Sequence, residues 1–325
     1  MARFYPFPAA VPMPLFLIRR ILATLPVLAI VALIVFLMLR LAPGDPAAAI
    51  LGDNASSEAM KNVRTQLGLE QSIPVQFFQW SARLLSGDLG ESYFLKQSVA
   101  GLIAQRIEPT LSLAALTLVV TVLIAVPLGV VAAWRHGGWL DRALMGFSVL
   151  GFSIPAFVIG YVLIWAVSLK LGWLPVQGYA RLEEGLGPWL RHLVLPAITL
   201  SIIYVALIAR VTRAAVAEAL TEDYVRTARS KGISEARVLV RHALVNAAVP
   251  IVTVIGIGIA LLIGGVVVTE TVFAIPGLGQ LTVDAVLSRD YPLIQAITLF
   301  FSFIYVLINL LVDLSYLLLD PRIRY

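Results

Sequence analysis

The sequence predicts an all-α integral membrane protein with six transmembrane helices, and three observations carry that expectation. Of 325 residues, 60% are hydrophobic and only 13% charged, against about 45–50% and about 25% in an ordinary soluble domain. Six runs contain no Asp, Glu, Lys or Arg: Ile21–Leu39, Thr110–Trp134, Ala143–Leu169, Leu193–Ala209, Ala243–Thr269 and Tyr291–Val312. A helix crossing the hydrocarbon core needs about 20 apolar residues, and an open sheet is excluded there because unpaired backbone groups are too costly. Helix breakers recur inside the runs, among them Pro127, Gly129, Gly151, Pro155, Gly160, Pro196, Gly256, Gly258, Gly264 and Gly265. Together they suit a closely packed, mobile bundle better than a lone anchor. This composition excludes an ordinary cytosolic enzyme, a disordered chain and a nucleic-acid binder. With no cysteine, disulfides, thiolate nucleophiles and cysteine-based metal centres are excluded as well. His136, His192 and His242 are too scattered to suggest a histidine metal site.

The elements follow in order. Residues 1–20 form a tail that Pro6, Pro8, Pro12 and Pro14 keep from being a regular helix. Arg19 and Arg20 precede the first run, which is longer than the apolar stretch of a secretory signal and lacks a cleavage pattern. It is a retained transmembrane helix, 21–41. Residues 42–108 make an extracytoplasmic cap: Met60, Val63 and Leu67 fall at helical spacing behind Ser56 and Ser57 as caps. Ser72-Ile73-Pro74 then opens a second amphipathic helix with Val75, Phe78, Ala82 and Leu85 on one stripe. Residues 109–317 are a five-helix core with a cytoplasmic loop at 210–246 and an outer loop at 271–292. Residues 318–325 are a C-terminal tail.

Charge sets the orientation. Six spans put both termini on one side. One set of short loops and tails holds fourteen Lys and Arg, seven of them in Arg210–Arg241, while the other holds Lys170, Arg181, Arg191 and Arg289. The positive-inside rule places the richer set, and both termini, in the cytoplasm. The formal charge of +5 therefore reports topology.

The loop between the fourth and fifth spans is far longer than the usual 4–6 residues. Thr221-Glu222-Asp223 supplies an N-cap and an acidic first turn. Tyr224, Val225 and Ala228 follow at helical spacing, and Arg229, Lys231 and Gly232 mark the C-terminal end. Ser234 caps a second helix over Glu235–Val245. The residues alone fit two uses equally: a basic hairpin on anionic lipid, or a docking element for a protein.

Here the chain resembles a family. Arg226-Thr227-Ala228-x-x-x-Gly232 is similar to the Glu-Ala-Ala-x-x-x-Gly coupling motif of ABC importer membrane subunits. The wider Asp223–Gly232 and Arg241–Asn246 segments resemble the first permease of the dipeptide/oligopeptide/nickel group. Leu39–Pro46, Gly87–Ser92, Ser153–Phe157, His192–Pro196, Glu270–Gly279 and Asp320–Arg322 agree in order, so the likeness runs from about Arg19 to the C-terminus. The chain departs at Arg226 and Thr227, which replace Glu and Ala, and at Val245, where a proline often stands.

The resemblance implies the type I ABC importer membrane-domain fold in the cell inner membrane. It also implies a second, paralogous permease, two cytoplasmic ATPase subunits and an extracytoplasmic solute-binding protein, besides membrane lipid. Arg226, Thr227, Ala228, Arg229, Lys231 and Gly232 are then the ATPase-coupling residues. The outer segment Phe273–Pro292, with Asp284, Arg289, Asp290 and Tyr291, is the candidate dock for the binding protein. No Gly-x-x-x-x-Gly-Lys-Ser/Thr phosphate loop occurs, so ATP and Mg belong on the partner ATPases, no cofactor is expected on this chain, and it is expected to be a transport subunit rather than an enzyme. Peptides are the leading solute; nickel chelates, glutathione and oligosaccharides are alternatives.

Ionisable residues inside a bilayer are functional suspects. Arg40, Glu270 and Asp313 sit at span ends, where headgroups or partner chains are within reach, and Asn309 lies one turn before Asp313. No acidic pair sits in the middle of a span, which disfavours an ATP-independent, ion-coupled carrier.

Overall fold

The computed structural model describes residues 13–41, 57–66 and 70–319. The tail prolines Pro6, Pro8 and Pro12, the cap residues 42–56 and 67–69 with Ser56 and Leu67, and the C-terminal Asp320, Arg322 and Arg324 lie outside the described residues. Pro14 does not hold off the helix: it is the second residue of a helix that starts at Met13, a first-turn position where its missing N–H costs nothing. Twelve α-helical elements are described: α1 (Met13–Leu41), α2 (Ser57–Gln66), α3 (Ile73–Leu85), α4 (Val99–Trp134), α5 (Trp139–Ser153), α6 (Ala156–Leu163), α7 (Leu186–Ala219), α8 (Asp223–Ser230), α9, α10 (Ala248–Val272), α11 (Leu278–Leu287) and α12 (Tyr291–Leu319). The α9 element begins at Glu235–Arg237, passes through a π-helical stretch Val238–Ala243 and ends at Leu244–Asn246. No strand forms among the described residues; one isolated antiparallel bridge pairs Glu91 with Ser98.

Five helices are long and apolar enough to cross a membrane, and six if the bent pair of α5 and α6 counts as one span. The third charge-free run is not one rod. It divides into α5 and into α6 with its π-helical continuation Ile164–Lys170, the two halves meeting at 101°. The cause is local. Ile154 precedes Pro155 and is pushed to extended geometry (ψ 122°), because the proline ring disfavours the helical region for the residue before it. Proline also lacks the N–H that would continue the hydrogen-bond ladder. Pro109, Pro127 and Pro196, by contrast, are accommodated within α4 and α7.

Several helices outrun their apolar cores. The α4 helix starts at Val99, where the Ser98 hydroxyl accepts a hydrogen bond from Gly101 N at 3.2 Å. The α7 helix continues past Arg210 and Arg213 to Ala219. Packing of α4, α7 and α10 forms the centre. Leu113, Leu193, Leu200, Tyr204, Leu262, Val266 and Phe273 fill one half of it. Ala125, Ala132, Val205, Ile208 and Val254 fill the next layer, and Ala133, Val216, Ala243 and Ile251 the end nearest Ala219. Small residues make this contact possible. A side chain at Gly129 would strike Ala209 O and Thr212, and one at Gly256 would overlap Val312 of α12.

The α1 helix lies against α12 and is fastened near both ends. Gln295 donates from Nε2 to Val35 O at 3.0 Å, and Arg20 pairs with Asp313 at 2.8 Å. Asn309 bonds its own helix at Tyr305 O, so the interhelical polar contact belongs to Asp313. On its other faces α1 exposes Ile18, Leu22, Leu25, Ile30, Ile34 and Met38, as a lipid-facing helix should.

The amphipathic reading of α3 needs correction. Gln76, Phe77, Trp80 and Leu84 form the packed side, while Val75, Phe78, Ala82 and Leu85 are exposed. Phe77 meets the buried Phe36 of α1 edge-on and Trp80 meets it at a tilt, with ring centroids 5.2 and 5.5 Å away. Arg40 lies over the Phe36 ring and donates to Gln76 Oε1 at 2.8 and 3.1 Å. Aromatic bulk together with a charge-assisted hydrogen bond outweighs the aliphatic stripe.

Candidate functional site

The coupling loop is a compact two-helix knob. The N-cap position of α8 is Glu222, without a side-chain cap bond; the Thr221 hydroxyl turns back to Glu218 O at 2.7 Å. Ser234 occupies the N-cap position of α9, also without a side-chain bond. Val225 and Ala228 are buried against Val238, with Leu220 and Ile233 beside them. The end of α8 is a Schellman turn. Ile233 N donates to Ala228 O (3.2 Å) and Gly232 N to Arg229 O (2.9 Å), with Gly232 at φ +76°. A left-handed residue is required there, and glycine adopts that conformation without the Cβ penalty. Across the turn, Arg229 grips Glu235 with two bonds, 2.8 and 3.2 Å. Arg226 (3.3 Å from Asp223), Thr227, Arg229, Lys231 and Gly232 are all exposed. Of the six residues expected to contact an ATPase, Ala228 alone faces inward, at 5% exposure. Its methyl allows α8 to sit close to α9, and the basic rim is left to its neighbours.

One cluster near this loop escaped the sequence reading. Asp141, in the first turn of α5, is 4% exposed. It accepts from Arg213 Nε at 2.8 Å and Nη2 at 2.6 Å, and from Gly137 N at 2.9 Å. His136 Nδ1 stands 3.3 Å from the same carboxylate. A bidentate pair of this kind fixes orientation as well as distance. It ties the α4–α5 turn to α7, a few turns before the coupling loop. An acid isolated at the start of an apolar run was the available signal, but nothing in the sequence supplies its partner.

At the opposite end, the outer loop is built into the bundle. Glu270 is fully buried. It accepts from the Thr110 hydroxyl of α4 (2.6 Å) and from Gln280 N (3.0 Å), while Thr110 Oγ1 accepts from Leu278 N (2.7 Å). Gly277 and Gly279 make room: a Cβ at Gly277 would overlap the Glu270 carboxylate, and one at Gly279 would meet the Val267 backbone at 2.6 Å. One carboxylate thus clamps α4, α10 and α11 together. Glu270, Arg40 and Asp313 all find partners within the chain.

Among the four residues expected to face a binding protein, Asp284 and Arg289 are exposed and Tyr291 is half-buried. Asp290 is buried at 1% and turned inward. It accepts from the Ser92 hydroxyl, from Tyr93 N (3.2 Å) and from Phe94 N (3.3 Å). Burial pushes the Tyr93 phenol above its ordinary pKa; the Arg40 charge opposes that shift and Asp290 adds to it. The residues sequence reasoning missed here are Ser92 and Thr110, hydroxyls whose roles depend on contacts well over a hundred residues away in the chain.

A bundle of five long apolar helices and a bent pair, with a protruding basic two-helix loop at one end and a locked helical loop at the other, defines a multi-pass membrane protein. Comparison with known proteins gives the family. The model of the binding-protein-dependent transport system inner membrane component matches residues 125–325, and the N-terminal model of the same components matches residues 13–114. The chain belongs to this family of ABC importer permeases. It is 53% identical over 313 residues to a probable peptide ABC transporter permease protein of Sinorhizobium fredii, covering 96% of this chain and 100% of that one. A putative peptide transport system permease of Brucella abortus is 45% identical over 310 residues, covering 95% and 98%. The glutathione transport system permease protein GsiC of Escherichia coli K12 is 43% identical over 310 residues, covering 95% and 99%. Among solved structures, the inward-facing MetNI methionine ABC transporter matches with a TM-score of 0.57 at 18% identity, over 67% of this chain and 96% of that one. That match speaks for the fold alone.

Proposed function

We propose that this chain is one half of the translocation path of an ATP-driven importer for di- or oligopeptides, with both termini in the cytoplasm. A paralogous permease supplies the other half, two ATPases sit beneath, and a solute-binding protein delivers the peptide from outside. ATP and Mg are held by the ATPases. The observation that carries the reading is the coupling loop, whose exposed Arg226, Thr227, Arg229 and Lys231 project from a knob fixed by a Schellman turn and by the Arg229–Glu235 pair. A knob of this kind fits a groove on a partner far better than a flat lipid surface. Closure of the ATPases moves it and opens the path outward; hydrolysis resets the path inward. Asp284 and Arg289 are the candidate contacts for the binding protein, with Tyr291 at the edge.

Peptide is the favoured solute because the Sinorhizobium and Brucella relatives carry that name. Glutathione, itself a small peptide, is the second reading, favoured by the likeness to GsiC. The test is affinity purification of the tagged chain from its native membrane in mild detergent. Two ATPases, a second permease and a binding protein should co-purify, and mass spectrometry of the ligand retained by that binding protein identifies the solute. A chain that is repeatedly recovered alone would overturn the assembly. Uptake by a Gly232→Trp variant should be lost while membrane insertion persists; wild-type uptake would remove the coupling role.

A further inference from the structure

The geometry points to α3 as an in-plane helix at the membrane surface, its free stripe seated among lipids of the leaflet opposite the coupling loop. Three arcs divide the circumference of α3. The first, Gln76, Phe77, Trp80 and Leu84, meets the outer end of α1 through Phe36 and Arg40. The second is Val75, Phe78, Ala82 and Leu85, with Val75 44%, Phe78 71% and Leu85 88% exposed. The third is Gln79 and Arg83, polar and exposed. On a 3.6-residue helix these arcs point in three different directions. A water-soluble cap needs only two environments, a packed side and a wet side. A protein side, an apolar side and a polar side together match a helix lying at the boundary of a bilayer.

The position of α3 agrees with its pattern. The α1 helix exposes an apolar surface up to Met38 and carries Arg40 in its last turn. The guanidinium of Arg40 lies back over the Phe36 ring, 3.8 Å from its centroid. A basic residue and aromatic rings at the end of an apolar span mark headgroup depth. Because α3 packs on this same pair, its free apolar stripe continues the lipid-facing surface of α1. The single basic residue on the polar arc, Arg83, suits the phosphate layer. The occupant is therefore the bilayer itself rather than a protein. This inference rests on the chain being a multi-pass membrane protein, and it is independent of which solute is carried.

The chain has no cysteine, so single-cysteine variants report one position each. Val75→Cys, Phe78→Cys, Leu85→Cys and Gln79→Cys would be nitroxide-labelled. Each would be reconstituted, in the assembled importer with cysteine-free partner subunits, into vesicles of phosphatidylcholine and phosphatidylglycerol. Collision with oxygen, which partitions into lipid, is compared with collision with a water-soluble nickel chelate. At 75, 78 and 85 the oxygen rate should exceed the nickel rate several-fold, and at 79 the order should reverse. Equal nickel access at 78, 85 and 79 would overturn the proposal in favour of a water-exposed face. Low access to both reagents would overturn it in favour of cover by protein, and protection that appears only when the solute-binding protein is added would assign the stripe to docking. Ala82→Cys serves if Phe78→Cys does not assemble.

Discussion

In the coupling loop, α8 ends in a Schellman turn around Gly232; in the outer loop, α11 ends in the same turn around Arg289. There Asp290 N donates to Ala285 O at 2.9 Å and Arg289 N to Val286 O at 3.2 Å, with Arg289 at φ +55°. The turns match, but what holds the two loops does not. The coupling loop is secured by three buried side chains and by an ion pair whose partners are 40% and 45% exposed. The outer loop is secured by two buried carboxylates, Glu270 and Asp290, that reach other helices and other loops. One loop is a knob on a tether and the other is part of the wall. The first leaves its basic residues accessible, while the second is held in place by buried contacts.

The sharpest way to break the comparison is Glu270→Ala. It strands Gln280 N and removes the acceptor of the Thr110 hydroxyl, so it should cost about 2–4 kcal/mol of stability. Thermal denaturation of the purified subunit should show a large drop, with Glu270→Gln intermediate. An unchanged midpoint would mean that the outer loop is not held by this carboxylate. Asp290→Ala comes next, at about 1–3 kcal/mol, because two backbone donors lose their acceptor. Protease sensitivity near residues 92–95 should rise with it.

A reciprocal exchange separates turn from anchor. Gly232→Ala should cost about 1 kcal/mol through its left-handed backbone alone, since nothing stands within 4 Å of the added methyl. Arg289→Gly should gain up to about 1 kcal/mol for the same reason in reverse. Hydrogen exchange of the two turns reads both, and a Gly232→Asn variant should recover part of the loss. Smallest is Arg229→Ala. The pair it breaks is solvent-exposed and is worth roughly 0.2–1 kcal/mol, so the melting midpoint should barely move. A large fall in ATPase coupling beside so small a change in stability would place Arg229 at the contact rather than in the scaffold.

Much of this architecture could be read directly from the chain. Charge is so costly in hydrocarbon that its absence over six runs locates the five long apolar helices and the bent pair, and the Asp223–Gly232 segment encodes its own helix and stop. What was hidden depends on the third dimension. The break at Ile154–Pro155 lies inside an uninterrupted apolar run, and proline alone does not announce it, since Pro127 and Pro196 sit inside continuous helices. The α3 stripe misled because spacing shows that a helix has an apolar face without showing which neighbour it meets; Phe36 and Arg40 settle that with aromatic rings and one amide. Asp290 looked like a surface acid in a polar outer loop, yet three donors from residues 92–94 turn it inward. Asp141 needed Arg213, dozens of residues downstream.

The 101° bend between α5 and α6 makes an elbow of the third apolar run. The first turn of α5 is bolted to α7 through Asp141 and Arg213. Gly160 of α6 sits 3.3–3.4 Å, measured from an added Cβ, from Val272, Phe273 and Thr199, at the root of the outer loop. In a straight rod, a push at one end arrives at the other along the same line. In an elbow this close to a right angle, any axial displacement of α5 reaches α6 almost wholly as a sideways one. A rigid shift of α5 along its axis would therefore carry Gly160 sideways past Val272 and Phe273, within a single stretch of chain.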